Sequence, residues 1–151
     1  MYRQVPLILV ALLIVVGCSS SDPTADVEAN EAAHLDAFFT EDIDALLATF
    51  TDDAVFVDET FGDFIEGKTQ LRSFYEIVFR ISDPERTEVL DSFVSSDATR
   101  ATSVWEWRGV SASGNPFDLS NVLIHEYRDG LISKQSIYYA SRDAYEQLAS
   151  P

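Results

Sequence analysis

The feature that most constrains the fold of this chain is a change in the spacing of its apolar residues. In the first half they recur every three or four residues, as at Ile43, Leu46, Leu47 and Phe50, which is typical of amphipathic helices. From Thr87 onward they alternate with polar residues, which is typical of strands with one buried face. Helices followed by consecutive strands predict an α+β fold, with the helices packed on one face of an antiparallel sheet.

The same spacing predicts where each element lies. Three helices are expected, over residues 26–39, 43–50 and 68–80, with a short strand over 54–58 between the second and the third. Four further strands are expected over 87–95, 99–110, 116–128 and 131–139. Asp129-Gly130 predicts a tight hairpin, because a type I′ turn needs positive φ, which glycine adopts most easily. A short amphipathic segment over 143–148 completes the domain.

The N-terminus reads as a targeting signal and not as part of the fold. One arginine precedes an apolar run, over residues 5–16, of about twelve residues, which is too short to cross a bilayer. Val15-Val16-Gly17-Cys18 resembles the bacterial lipobox, which implies cleavage after Gly17 and a lipid on Cys18, the only cysteine. We therefore expect a lipoprotein signal peptide (1–17), a lipidated cysteine with a polar tether (18–25) and a folded domain (26–151). An uncleaved membrane anchor is the alternative.

This signal predicts a lipid-anchored protein of the bacterial cell envelope. Ser19 after the cysteine is the pattern associated with the outer membrane, facing the periplasm, in Gram-negative bacteria. The whole chain carries a formal charge of −16, from 10 basic and 26 acidic residues, which excludes nucleic acid as a partner. One cysteine and two histidines argue against a metal site, and no glycine-rich phosphate loop implies a cofactor.

The order of several short motifs resembles the nuclear transport factor 2-like superfamily, and within it the polyketide-cyclase (SnoaL-like) branch that includes steroid isomerases. The motifs are the helix-to-strand segment 41–56, the glycine-initiated helix 67–74, the hairpin 127–132 and the late Gln147-Leu148. The resemblance spans roughly residues 28–148. It implies a cone-shaped fold in which a curved sheet wraps the helices, with a pocket at the wide end and homodimers formed through the sheet.

The resemblance also implies two catalytic positions. Asp58 matches the general base of the isomerases, and His34 matches the tyrosine that donates to their oxyanion. An apolar pocket would raise the pKa of an aspartate toward that of a useful base. For Asp58 the alternative is a solvated aspartate at a strand end, beside Glu59, which stands where the isomerases carry proline. For His34 the alternative, which we favour, is a structural histidine bonded to Glu31 or to a carbonyl.

Strand alternation contributes the remaining candidates. Residues 117, 119, 121, 123, 125 and 127 share the more apolar face of one strand, so His125 is a third catalytic candidate or a structural histidine paired with Tyr127. Six residues are expected to bind a ligand, although core or dimer packing would also explain many of the aromatic ones: Phe56, Tyr75, Trp105, Trp107, Leu123 and Tyr127. Two departures count against catalysis, because Leu123 and Ala140 stand where the isomerases and the cyclases carry acidic residues.

These observations leave three functions open. The first is a lipid-anchored module that binds a small apolar or carbonyl-containing molecule without turnover. The second is an isomerase, cyclase or dehydratase in which Asp58 abstracts a proton with the help of His34 or His125. The third is a protein-interaction module of the cell envelope. The incomplete catalytic sets favour the first and the third.

Overall fold

A computed structural model describes residues 22–85, 88–139 and Gln147. The signal peptide, Cys18 and all of the expected segment 143–148 except Gln147 lie outside these residues. The elements follow in the order α1 (Pro23–Phe39), α2 (Ile43–Ala48), β1 (Phe50–Asp58), β2 (Asp63–Glu66), α3 (Lys68–Ile81), β3 (Ser82–Glu85), β4 (Val89–Val94), β5 (Arg100–Ser111), β6 (Pro116–Arg128) and β7 (Leu131–Tyr139). Of the described helices, none combines the length and the apolar character needed to cross a membrane.

The helices begin where local chemistry satisfies their first backbone N–H groups. Asp22 caps α1 by accepting a hydrogen bond from Thr24 N at 3.0 Å, so this helix starts three residues before the predicted position. Asp42 caps α2 in the same way through Ala45 N at 2.9 Å. The second helix ends at Ala48 and Phe50 already belongs to β1, where it is fully buried. Phe50 therefore matched the apolar spacing of the second helix because it is buried in the same core, although it belongs to a strand.

The long strands confirm the predicted alternation. β5 and β6 pair antiparallel along most of their lengths, and β6 and β7 form a hairpin. Its turn has φ of 54° at Asp129 and 75° at Gly130, as a type I′ turn requires. All six residues on the predicted inner face of β6 are buried, as are Trp105 and Trp107 on β5. This face packs against the helices and forms the core.

The prediction of a purely antiparallel sheet is wrong. The strand order is β2-β1-β7-β6-β5-β3, with β4 also paired to β5, and β1 runs parallel to β7 from Val55 opposite Lys134 to Asp58 opposite Ile137. The sheet is therefore mixed. Alternation identifies the buried face of a strand but not the direction of its neighbour, which depends on how distant segments assemble. Within the described residues the three expected helices are present, and β2 is an additional strand between the expected strand, β1, and the third helix.

The short strand β3 was not predicted from the sequence either. Ser82–Glu85, which contains Asp83-Pro84, directly follows the third helix and pairs antiparallel with β5. Proline is tolerated there because β3 lies at the edge of the sheet. A side chain at Gly109, opposite Pro84, would place its Cβ 1.9 Å from the Asp83 carbonyl oxygen, so glycine permits this close pairing.

Candidate functional site

A cavity of about 310 Å³ lies between the helices and the inner face of the sheet. Its wall is mainly aromatic, and eight rings contribute to it: Phe38, Phe56, Phe61, Phe74, Tyr75, Trp105, Trp107 and Tyr139. Several of these rings pack edge to face, including Phe38 against Trp105 at 5.4 Å and Phe61 against Tyr139 at 5.8 Å. Such packing fixes the rings before any ligand arrives. The cavity lies within the size range of sites for small molecules.

Asp58 is a buried polar residue on this wall, and its carboxylate is held by three donors. It is the last residue of β1, and the turn that follows directs the backbone N–H groups of Thr60 and Phe61 at Oδ1, at 2.8 and 3.0 Å. The Tyr139 hydroxyl donates to Oδ2. Burial, followed by the hydrogen bond to Asp58 and its charge, raises the pKa of Tyr139, so this hydroxyl stays protonated. No lysine or arginine of the described residues forms an ion pair with Asp58.

His34 lines the same cavity, and its surroundings define which ring nitrogen carries the proton. Nδ1 lies 3.1 Å from Thr49 Oγ1, while the Thr49 hydroxyl donates to the Leu46 carbonyl at 2.6 Å. Because the single hydroxyl hydrogen is used in that bond, Nδ1 must be the donor to Thr49. Burial and the neighbouring His125 lower the pKa of His34 to about 3, although Glu31 acts in the opposite direction. The neutral ring then offers an unprotonated Nε2, which accepts hydrogen bonds and does not donate them.

His125 lies behind His34 and is not among the residues that line the cavity. Its Nδ1 is 2.5 Å from Glu31 Oε1, and the Tyr127 hydroxyl donates to the same oxygen at 2.6 Å. Burial raises the pKa of the Glu31 carboxyl, but the hydrogen bonds of His125 and Tyr127 and the charge of His125 outweigh it, so that pKa is lowered. The ring centres of His34 and His125 are 4.9 Å apart. The result is a hydrogen-bonded cluster of Glu31, His125 and Tyr127 that packs directly against the wall residue His34.

The structure separates the nine sequence candidates into two groups. Seven line the cavity: His34, Phe56, Asp58, Tyr75, Trp105, Trp107 and Leu123. His125 and Tyr127 instead meet at Glu31. The bond expected between Glu31 and His34 is thus made by His125, and Glu31 was not among the candidates because its partners are more than 90 residues away.

Among the lining residues that the sequence did not identify, three have polar side chains, namely Asp63, Gln135 and Tyr139. Alternation along β7 places Gln135 and Tyr139 on one face and could have identified them. Gln135 Oε1 accepts a long hydrogen bond of 3.4 Å from the Tyr75 hydroxyl, whose pKa is raised by burial.

In the described part of the chain, no group of three or more histidine, cysteine, aspartate or glutamate residues is arranged to hold a metal ion.

Comparisons with known proteins agree with the fold. The model of the SnoaL-like domain matches residues 32–135. Among solved structures, a candidate polyketide cyclase from Xanthomonas campestris pv. campestris is 20% identical, with a TM-score of 0.76 over 84% of this chain and 99% of its own. A second candidate polyketide cyclase, from a Silicibacter species, is 26% identical, with a TM-score of 0.71 over 83% and 96%.

A third structure has a ketosteroid isomerase-like fold. It comes from Catenulispora acidiphila, was solved in complex with trimethylamine, and is 18% identical, with a TM-score of 0.70 over 81% of this chain and 93% of its own. No curated protein matches the sequence with significance.

Proposed function

The chain belongs to the SnoaL-like domain family, and from that premise we propose that it binds a small, mainly apolar molecule, carbonyl compounds included, in the cavity between its helices and its sheet. The observation that carries this proposal is the pairing of an aromatic wall with a buried carboxylate whose orientation is held by three donors. Apolar burial supplies affinity in such sites, and a few placed polar groups orient the ligand.

The polar groups favour binding without turnover. Proton abstraction next to a carbonyl needs a donor that stabilises the oxyanion opposite the base. The resemblance assigns that role to the position of His34, but its neutral tautomer presents an acceptor. Leu123, which stands where the isomerases carry their second donor, also lines the cavity and is apolar.

The second candidate is an isomerase-type enzyme with Asp58 as the base. It is favoured by the placement of the Asp58 carboxylate and His34 on one wall, together with the Gln135 amide as a group able to donate. In this mechanism Asp58 would take the proton next to the carbonyl, and the Gln135 amide would hold the oxyanion. Turnover that is lost in Asp58→Asn would establish this alternative.

Tryptophan fluorescence offers a direct test of binding, because the chain has two tryptophans and both line the cavity. We would titrate the full-length chain, solubilised in a nonionic detergent, with a panel of small ketones, alcohols and amines. We expect a saturable change in emission for at least one class. A ligand at 100 times its Kd should also add about 2.7 kcal/mol to the free energy of unfolding.

Two matched variants locate the binding. Leu123→Phe fills the cavity and should weaken binding at least tenfold, whereas Ile124→Phe, on the opposite face of the same strand, should not. Equal loss in both variants, or no response to any compound, would contradict the proposal. The absence of any response would direct the search toward a protein partner in the cell envelope.

We also propose that the domain is held at the bacterial cell envelope by a lipid on Cys18. The motif at residues 15–18 supports this location. Cys18 lies five residues before Pro23, the first residue of α1. Since each residue spans at most about 3.6 Å, the helix would start within about 18 Å of the lipidated cysteine.

A further inference from the structure

The cavity of the proposed binding function carries negative groups without any matching positive group. Asp58, which is 6% exposed, and Asp63 both contribute to its wall. No lysine or arginine of the described residues lines it. His34 is held neutral by burial and by the neighbouring His125, which lower its pKa, so it does not offset these charges. The whole chain is also negative, with a net charge of −16.

Asp58 retains capacity to accept a further hydrogen bond. Its Oδ1 accepts hydrogen bonds from two backbone N–H groups. Among the described residues, Oδ2 accepts one hydrogen bond, from the Tyr139 hydroxyl. Each carboxylate oxygen can accept about two hydrogen bonds, which leaves one position on Oδ2. A buried carboxylate that lacks a cationic partner is unfavourable, and a cation brought by a ligand would relieve that cost.

A second acceptor lies on the same wall. Nε2 of His34 is unprotonated in the tautomer set by Thr49, and none of the described residues hydrogen-bonds it. With Asp58 and Asp63, three residues of the wall therefore present acceptors, against the amide donor of Gln135, because the Tyr75 hydroxyl hydrogen is used in its bond to Gln135 Oε1. A ligand that donates hydrogen bonds matches this wall better than one that only accepts them.

The aromatic wall favours the same kind of ligand. The π-faces of tryptophan, tyrosine and phenylalanine attract cations, most strongly where water is excluded. Eight such rings surround the cavity. Trp105 and Trp107 bury their indole N–H groups without an acceptor among the described residues, and each ring packs edge to face against Phe38. The tryptophans therefore contribute aromatic surface and not hydrogen-bond donors to the cavity.

We propose that the ligand of this cavity is a small organic cation, a protonated or quaternary alkylamine, with Asp58 as its counter-ion and the surrounding rings as its cage. This inference rests on the proposed function and specifies the chemical class of its ligand. A free carboxylate or phosphate compound is the least suitable class, because Asp58 and Asp63 would repel it.

Pairs of ligands with the same shape and different charge test the proposal. Choline and 3,3-dimethylbutan-1-ol differ by a nitrogen for a carbon, and phenethylammonium and 2-phenylethanol form a second pair. Each is titrated into the full-length chain in nonionic detergent, with tryptophan emission and calorimetry as readouts. We expect the cation of at least one pair to bind at least ten times more tightly than its neutral partner.

Three variants assign the preference to the cavity. Asp58→Asn should weaken binding of the cation at least tenfold and leave the neutral partner within about twofold. Asp91→Asn, an exposed position on β4, makes the same change in net charge and should alter neither. Phe61→Leu removes a half-exposed ring from the wall and should lower the affinity for the cation about threefold, which provides a second measurement if Asp58→Asn does not fold.

The outcomes separate this inference from the proposed function. Neutral partners that bind as tightly as the cations would overturn the inference and leave the binding function intact. The same holds if neither cation and no amine binds while a ketone or an alcohol of the broader panel does. If no compound of either set binds, both proposals fail. A preference for cations that survives Asp58→Asn and Phe61→Leu would also overturn the inference, because it would then arise outside this cavity.

Discussion

At the scale of single residues, neighbouring side chains of the same type take opposite roles. Asp58 and Glu59 are consecutive acids, yet Asp58 is buried on the cavity wall and Glu59 is exposed. The difference arises because β1 ends at Asp58 and the turn after it supplies two backbone donors to that carboxylate. The two histidines also take different roles. His34 bonds Thr49 and lines the cavity, whereas His125 bonds Glu31 and does not line it.

The buried state of His34 predicts a dependence of stability on pH. Its pKa is about 3 in the folded chain, compared with about 6.5 when unfolded, so below pH 6.5 the unfolded chain binds a proton that the folded chain does not. The contribution of neutral His34 to the free energy of unfolding is therefore fully present above pH 6.5 and is lost as the pH falls toward 3. One proton corresponds to a slope of at most about 1.4 kcal/mol per pH unit.

Urea unfolding between pH 5 and pH 7.5 measures this slope. His34→Asn retains an amide able to donate to Thr49 but removes the titrating ring. We expect the variant to be less stable at neutral pH and to lose less stability on acidification than the original chain. Carboxylates titrate in both proteins, so the difference between the two slopes isolates His34. Identical slopes would show that His34 is not held neutral in the folded state.

At the scale of elements, the edge of the sheet depends on one close backbone approach. Gly109 on β5 faces β3, and a Cβ at this position would lie 1.9 Å from the Asp83 carbonyl oxygen and 3.0 Å from the Phe117 ring. Backbone atoms cannot yield as a flexible side chain can. The pairing of β3 with β5 therefore requires glycine at position 109, because a side chain would not fit between the two strands.

We predict that Gly109→Ala lowers the free energy of unfolding by about 1–3 kcal/mol, as overpacking in a close contact does. Val110→Ala, the next residue on β5, is the control, since Val110 is half-exposed and its loss should cost about 0.5 kcal/mol or less. Both are measured by urea unfolding. A Gly109→Ala protein as stable as the control would mean that β3 does not approach β5 this closely.

At the scale of the whole molecule, the proposed lipid anchor would hold an acidic domain close to a membrane. The folded part begins with α1 at Pro23, close after Cys18, so an anchored domain would remain near the membrane surface. Its net negative charge would be repelled by anionic lipids, so attachment would depend on the proposed lipid on Cys18.

Expression in a bacterial host tests this attachment. We predict that the mature protein has lost residues 1–17, incorporates labelled palmitate and partitions into the detergent phase. Cys18→Ser should abolish labelling, because no other cysteine can replace it. Mass spectrometry of the N-terminus distinguishes the outcomes, since a protein that keeps residues 1–17 and carries no lipid would support an uncleaved anchor instead.

The local pattern of residues by itself determined the types of the main elements and their buried faces. Periods of 3.6 and 2 arise from the geometry of one helix or one strand, so they can be identified without knowledge of distant contacts. The hairpin at Asp129-Gly130 was predictable for the same reason, because its turn depends on the φ preferences of two residues. Asp58 and His34 were identified because motifs with a known order lie around them.

Only the tertiary structure decided how those faces combine. The parallel pairing of β1 with β7 joins segments about 80 residues apart, and the bond of His125 to Glu31 joins residues 94 positions apart. The same assembly encloses Asp58 with Tyr139 and positions His34 so that Nδ1 donates to Thr49. Protonation, tautomer and partner all depend on which distant groups surround a side chain, and the spacing of residues along the chain does not contain that information.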